Sequence, residues 1–382
     1  MADIVAPHGS PLAFVVVSCS RLDGALSFYR DLLGLDVLER RHWQGAAFDA
    51  LIRAAPGASA ECVMLGAGDD PVGRILLIEF AGSVGARVMR ESHSAVFGLS
   101  NLNFYVRDAV QASTNLAAHG FPPWTPPTRH AFESGVGNPV EVLFDGPDGL
   151  TINLVELAST DPATRVGQMR AYTERRGFTA TGYTPVVTTS IICRDLELTR
   201  EYCERVLRMG VLIDDELAAP HVNGFLRLPA QARTRIKFMQ GNHMFGKLAL
   251  SQPLNSAEEC VDLVPRAEAP NVGYLAQGFE RKLRRPEPEA DLVVDVLEQD
   301  PGGETADVVL EGGLGGDALH LAHHLEPRDG LDRDLHLLVN NFQSSRISIV
   351  DIGRHDELFD RCAAYRTLCE LQFLSGAAAP VS

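Results

Sequence analysis

The side chains best suited to chemistry in this chain are one isolated carboxylate and a scattering of imidazoles. Glu79 lies in the run LLIEF, residues 76–80, as a lone carboxylate among apolar residues. Turned into a pocket it would be a general base whose burial raises its pKa. Turned outward, or hydrogen-bonded, it is structural. Of the twelve histidines, His320, His323 and His324 cluster in ALHLAHH. On a strand, His320 and His324 share one face and His323 takes the other. With His221 and His243 they could build a nonstandard metal site, for which His320, His324 and His243 are the fallback ligands. The plainer reading is a set of surface or hydrogen-bonded imidazoles. His130 follows the Pro-rich loop FPPWTPPTR, residues 121–129, and is a candidate proton shuttle over a cavity.

Other chemistry is excluded by what is missing. The chain has no P-loop and no GxSxG elbow, and Gly312–Gly316 opens no helix as a dinucleotide fingerprint would. The seven cysteines (Cys19, Cys62, Cys193, Cys203, Cys260, Cys362, Cys369) form no CxxC pair. They read as apolar buried thiols of a reducing compartment. A formal charge of −16 argues against a nucleic-acid partner, which needs a basic surface. No basic-then-apolar leader opens the chain, and no apolar run reaches membrane-spanning length. The expected location is the cytoplasm.

The elements that must position these residues repeat. Ala13–Cys19 reads as a buried strand, and Leu22–Leu33 as a helix with Leu22, Ala25, Leu26, Tyr29, Leu32 and Leu33 on one stripe. Gly34 caps it. Strands are expected at Leu35–Glu39, Ala46–Arg53, Glu61–Leu65 and Arg74–Phe80. The order recurs with strand Asn101–Val106, helix Ala109–His119, and strands Val140–Phe144 and Leu150–Leu157 around the turn DGPDG. A linker with one short helix, Ala163–Arg175, follows. A third copy has strand Thr188–Cys193, helix Leu196–Leu207, and strands Val211–Asp214, Gly224–Leu228, Arg235–Met239 and Lys247–Ser251. A blurred fourth offers strands at Asn271–Ala276, Leu292–Glu298, Asp307–Glu311, Ala318–His323 and Arg346–Asp351, then a closing helix Glu357–Leu374. Such internal copies decide architecture before single motifs do.

Two stretches resemble a known superfamily. FVVVSCSRLDGALSFYRDLLGL, Phe14 to Leu35, is similar to the first strand and helix of vicinal oxygen chelate proteins, with Phe28, Tyr29, Leu33 and Gly34 matching. DGPDGLTINL, Asp145 to Leu154, resembles the Asp-Pro-x-Gly turn into the last strand of the module. The resemblance implies an α+β fold of tandem βαβββ modules, pairing into two curled-sheet domains of which the second is degenerate. The expected division is 13–157, a linker at 158–183, and 184–378.

Family members hold a divalent cation with a His or Gln opening each first strand and a Glu in each fourth. Carried over, those positions are Phe14 and Glu79, Asn101 and Asn153, Thr188 and Ala249, and Asn271 with His320. In the first two modules only Glu79 is a usual ligand, so no metal is expected, with iron, manganese or zinc as the alternative. The resemblance then implies an enzyme of isomerase or lyase type acting by proton transfer on a small, partly apolar carbonyl or aromatic compound. Glu79 is its base, Asn101 and Asn153 its carbonyl partners, and His130 an accessory. The alternatives are a non-catalytic binder of a hydrophobic ligand or antibiotic, and a metal-dependent ring-cleaving dioxygenase. The expected partners are a small-molecule substrate and, as an option, a second copy in a homodimer.

Overall fold

The computed structural model describes residues 9–283, apart from 53, 83, 90–92 and 131–135, together with strands 308–311, 333–339 and 346–349. His320, His323, His324, Cys362, Cys369, the strands expected at Leu292–Glu298 and Ala318–His323, and the closing helix lie outside the described residues. The fold is α+β, with curled sheets built from βαβββ modules.

Module 1 contains β1 (Leu12–Ser18), α1 (Leu22–Leu26) running on as a π turn over Ser27–Leu32, β2 (Asp36–Gln44), α2 (Ala46–Ile52), β3 (Ser59–Gly66) and β4 (Arg74–Phe80). Module 2 has β5 (Val96–Val106), α3 (Ala109–Ala118), β6 (Thr128–Arg129), β7 (Val140–Asp145) and β8 (Thr151–Glu156). Helix α4 (Arg165–Arg176) crosses to module 3, which has β9 (Tyr183–Ile192), α5 (Leu196–Arg205), β10 (Gly210–Leu217), α6 (Pro220–Phe225), β11 (Thr234–Gln240) and β12 (Lys247–Pro253). Then come β13 (Val261–Asp262), β14 (Gly273–Leu283), β15 (Val308–Glu311), β16 (Arg333–Val339) and β17 (Arg346–Ile349). No described helix is long and apolar enough to cross a membrane.

Two expected strands are helices. Ala46–Arg53 is α2, because Phe48 and Ile52 stand four apart and so bury from one helical face. The Asp49 carboxylate closes its end by accepting from Gly57 N and Ala58 N. Gly224–Leu228 overlaps α6, where Pro220 takes the first turn that suits its missing N–H. Asn223 anchors that helix by donating to the carbonyls of Ala230 and Ala232.

Hydrogen bonding between modules does not follow their order in the chain. One six-stranded sheet runs β16-β14-β1-β4-β3-β2, so module 1 joins the fourth segment through antiparallel β1 and β14. The larger sheet runs β10-β11-β12-β9-β5-β8-β7-β6 and fuses modules 3 and 2 through antiparallel β9 and β5. The sequential grouping 13–157 and 184–378 is therefore crossed by both sheets. One apolar core unites the modules: Val15, Val17 and Phe28 share it with Phe104, Phe144 and Ile191. The Phe28 ring lies 4.9 Å from Phe121, edge to face. The turn between β7 and β8 adds a polar tie. There Asp148, at φ 59°, accepts from the amide and hydroxyl of Ser20.

A single device fixes each helix against its own last strand. Glu79 accepts from Leu22 N at 2.5 Å, Glu156 from Ala109 N at 3.0 Å, and Gln252 from Leu196 N at 3.1 Å. Each satisfies an orphan amide of the first helical turn. The three contacts set the true register of the repeat, in which Glu79 corresponds to Glu156 and Gln252. Leu76, not Glu79, is then the counterpart of Asn153 and Ala249, as the pairs Val16–Leu76, Asn103–Asn153 and Ser190–Ala249 confirm. An offset of three residues along a strand reverses the face, because side chains alternate with period two.

Candidate functional site

The concave face of the larger sheet lines a cavity of about 160 Å³ that is open to solvent. The side chains that point into it alternate along each strand: Asn101, Asn103 and Tyr105 on β5, Asn153 and Val155 on β8, Thr188 and Ser190 on β9, Lys247 and Ala249 on β12. Module 2 supplies a polar wall and module 3 a largely apolar one, with Ile213, Ile236 and Phe238. Helix α4 adds Val166 and Met169, and helix α6 adds Val222 and Phe225.

The polar wall is a hydrogen-bonded ladder. Asn153 Nδ2 donates to Asn103 Oδ1 at 2.8 Å and to Glu141 Oε2 at 2.6 Å. Asn103 Nδ2 donates in turn to Thr188 O at 2.9 Å and Ser190 Oγ at 3.2 Å. Two acceptors on one amide nitrogen fix the orientation of Asn153. Its Oδ1 is buried and has no partner among the described residues. A buried carbonyl oxygen left without a donor is uncommon and marks this wall as the polar feature of the cavity that needs explaining. Asn101 lines the same wall, with Oδ1 near Ser100 Oγ at 3.4 Å.

Of the residues expected to act, Asn101, Asn153 and His130 meet in this cavity and Glu79 does not. The Glu79 carboxylate is on the opposite face of its sheet, at the start of α1. His130 is buried and packs edge to face on Phe225, ring centres 4.9 Å apart. His243 lies elsewhere with both ring nitrogens engaged: Nδ1 accepts from Phe245 N at 3.0 Å and Nε2 meets Tyr172 Oη at 3.1 Å. Burial lowers its pKa, against the pull of the nearby Asp70. Asn271 precedes β14 and ties loops, accepting from Ala86 N and donating to Arg266 O.

Three residues of the site were not singled out from the sequence. Asn103 stands two after Asn101 in NLNFYV, so one strand face carries both amides. Glu141 in VEVLF carries the same signal as Glu79, a lone carboxylate among apolar residues. Lys247 opens the apolar strand KLALS. It is 1% exposed, donates to Met244 O, and lies 5.4 Å from the Tyr105 ring centre. Burial pulls its pKa down to about 7 and pushes that of Tyr105 up.

The fold family implies a divalent cation, and the donors present do not fit one. Across modules 2 and 3 the ligand positions are Asn101, Asn153, Thr188 and Ala249: two amides, a hydroxyl and a methyl. In module 1 the corresponding Phe14 and Leu76 are buried in an apolar cluster with Trp43 and Phe48. Neither set offers the imidazole or carboxylate nitrogen and oxygen donors that a transition metal needs. Among the described residues no three His, Cys, Asp or Glu side chains converge as a metal site.

Residues 12–154 match the profile of the Glyoxalase/Bleomycin resistance protein/Dioxygenase superfamily. Among solved structures, glyoxalase I from Zea mays is 14% identical, with 69% of this chain and 72% of that chain covered at a TM-score of 0.41. A glyoxalase family protein from Bacillus cereus is 20% identical over 38% of this chain and 93% of its own, TM-score 0.32. One from Enterococcus faecalis is 20% identical over 38% and 96%, TM-score 0.28. No curated protein matches the chain. The profile covers modules 1 and 2, where the strand-helix and DGPDG marks both lie, so that residues 12–154 are the part of the chain that is similar to the Glyoxalase/Bleomycin resistance protein/Dioxygenase superfamily.

Proposed function

We propose that this chain is an enzyme of isomerase or lyase type that binds a small, partly apolar, oxygen-bearing molecule between modules 2 and 3 and moves a proton on it. The observation that carries this reading is the Asn153 amide. Its nitrogen is held by Asn103 and Glu141, and its buried oxygen is left without a partner among the described residues, on a side chain that lines the cavity. Asn153 then accepts from a hydroxyl, enol or N–H of the ligand. Its own donors are spent, so it does not polarise a carbonyl. That task falls to Asn101, whose Nδ2 makes no hydrogen bond among the described residues. Glu141 takes the role of general base that the sequence suggested for Glu79, since it is the carboxylate lining the cavity.

A second reading is a binder without chemistry, favoured by the apolar wall of Ile213, Ile236 and Phe238. Proton exchange separates the two. A panel of small ketones and aldehydes in D₂O is followed by NMR for loss of α-hydrogens, with wild type and Glu141→Gln. Exchange that the variant abolishes, with ligand binding retained, supports Glu141 as base. Exchange that persists in the variant removes Glu141 from the mechanism. Binding without exchange for every compound leaves the non-catalytic reading.

A further inference from the structure

Lys247 is the feature of the cavity that the proton-transfer reading leaves unused. A buried ammonium is normally paired with a carboxylate, because desolvating an isolated charge is costly. Lys247 has no ion-pair partner among the described residues; its one hydrogen bond goes to a neutral acceptor, Met244 O. The titratable and charged groups around it are few. Tyr105 faces it from β5. His243 stands on the loop before β12, backed by Tyr172, by Asp70 at 3.9 Å, and by Arg176 beyond. Glu141 lies across the cavity, bound to Asn153. Asp70 is engaged by Arg176 at 3.1 Å, so it is not the missing counter-ion.

The register places this amine relative to the polar wall. Asn103 pairs with both Asn153 and Thr188, and Thr188 pairs with Lys247. Asn153, Asn103, Thr188 and Lys247 therefore form one row across four adjacent strands, all lining the cavity. Three strand spacings separate its ends, roughly 14 Å between backbones. The side chains reaching inward from both ends leave room for a molecule of one or two rings.

We propose that Lys247 anchors a carboxylate, and hence that the ligand of this cavity is a small organic anion. Its acid group meets the ammonium, while its apolar body fills the cavity between the Ile236 and Phe238 wall and Asn153. The ligand thus supplies the counter-charge that is missing among the described residues. This rests on the cavity being the ligand site, as proposed above, and the test keeps the two apart.

The probes are 2-naphthoate and 2-naphthamide, which differ in charge and little in shape, titrated by fluorescence against the full chain. Wild type at pH 6.5 is expected to bind the acid at least tenfold more tightly than the amide. Lys247→Met should abolish that preference and keep the amide. A second measurement needs no variant. Acid binding should weaken with rising pH above about 7, by up to tenfold per unit as the free amine loses its proton, while amide binding stays level. Equal binding of the two probes, or a preference that is flat with pH or survives in Lys247→Met, overturns the anion anchor and leaves the cavity reading standing. Failure of both probes to bind wild type overturns both.

Discussion

Replacing Glu79 should cost stability and leave the cavity untouched, and the internal repeat supplies its own control. The Glu79 carboxylate accepts from Leu22 N, an amide in the first turn of α1 on a residue only 2% exposed. Arg21, at the N-cap, contributes no side-chain hydrogen bond that could take over. In Glu79→Ala that amide loses its acceptor where water has poor access. Caps are worth about 0.5–2 kcal/mol, and an orphaned buried donor about 1–3 kcal/mol, so a loss of about 1–2 kcal/mol is expected. Glu79→Gln should lose less than about 1 kcal/mol, because Gln252 makes the same contact in module 3 through a neutral amide oxygen. Urea unfolding with an unchanged slope measures both, and naphthamide titration reports the cavity. The reasoning fails if Glu79→Gln costs as much as Glu79→Ala. It fails equally if either variant keeps full stability but no longer binds the probe.

The remaining expectations follow from contacts already described. Lys247→Met should stabilise the protein at pH 7 by a few kcal/mol, since the native amine binds protons less readily than the unfolded one. Between pH 7 and 10 the unfolded chain holds the extra proton, so wild-type stability rises with pH and the gap to the variant narrows. Denaturant melts at three pH values check this, and a gap that stays constant or widens with rising pH would refute it. Ala249→Trp should block naphthamide binding with little loss of stability, because Ala249 faces open cavity; calorimetric titration checks it. Gly73→Ala should destabilise by more than about 2 kcal/mol, because its φ is +74° and the new Cβ would lie 2.0 Å from Val186 O. Equal unfolding midpoints would refute that clash. Asn153→Leu should lose about 1–3 kcal/mol by stranding the acceptors on Glu141 and Asn103, read again from urea curves.

Much of the fold was legible because the repeat is written in strong signals. Strand β1, the helix stripe from Leu22, and the DGPDG turn follow from side-chain period and turn chemistry. The polar half of the cavity was half legible: Asn101 and Asn153 were found, and Asn103 follows from alternation. Glu79 shows why the rest was not. A carboxylate on an apolar strand looks the same whether it faces a pocket or a helix end. Only the contacts from Glu156 and Gln252 reveal the three-residue offset. Sequence could not reveal Lys247 as unusual either, since its significance lies in the counter-ion it lacks among the described residues. The exchange of partners between modules was invisible for a related reason. The β1–β14 and β5–β9 edges are both antiparallel, and no local pattern says which edge belongs to which.

That exchange nests the chain like brackets within brackets. Modules 2 and 3 close on each other within residues 96–253, while β1 waits for a partner that begins at Gly273. During synthesis the inner pair emerges complete before the outer one has its second half. A nascent chain ending at residue 260 would carry a finished ligand cavity and, in β1, an apolar strand with one unsatisfied edge. Such edges recruit other chains. Strand β14 thus guards the first strand against self-association, a duty separate from anything that happens in the cavity.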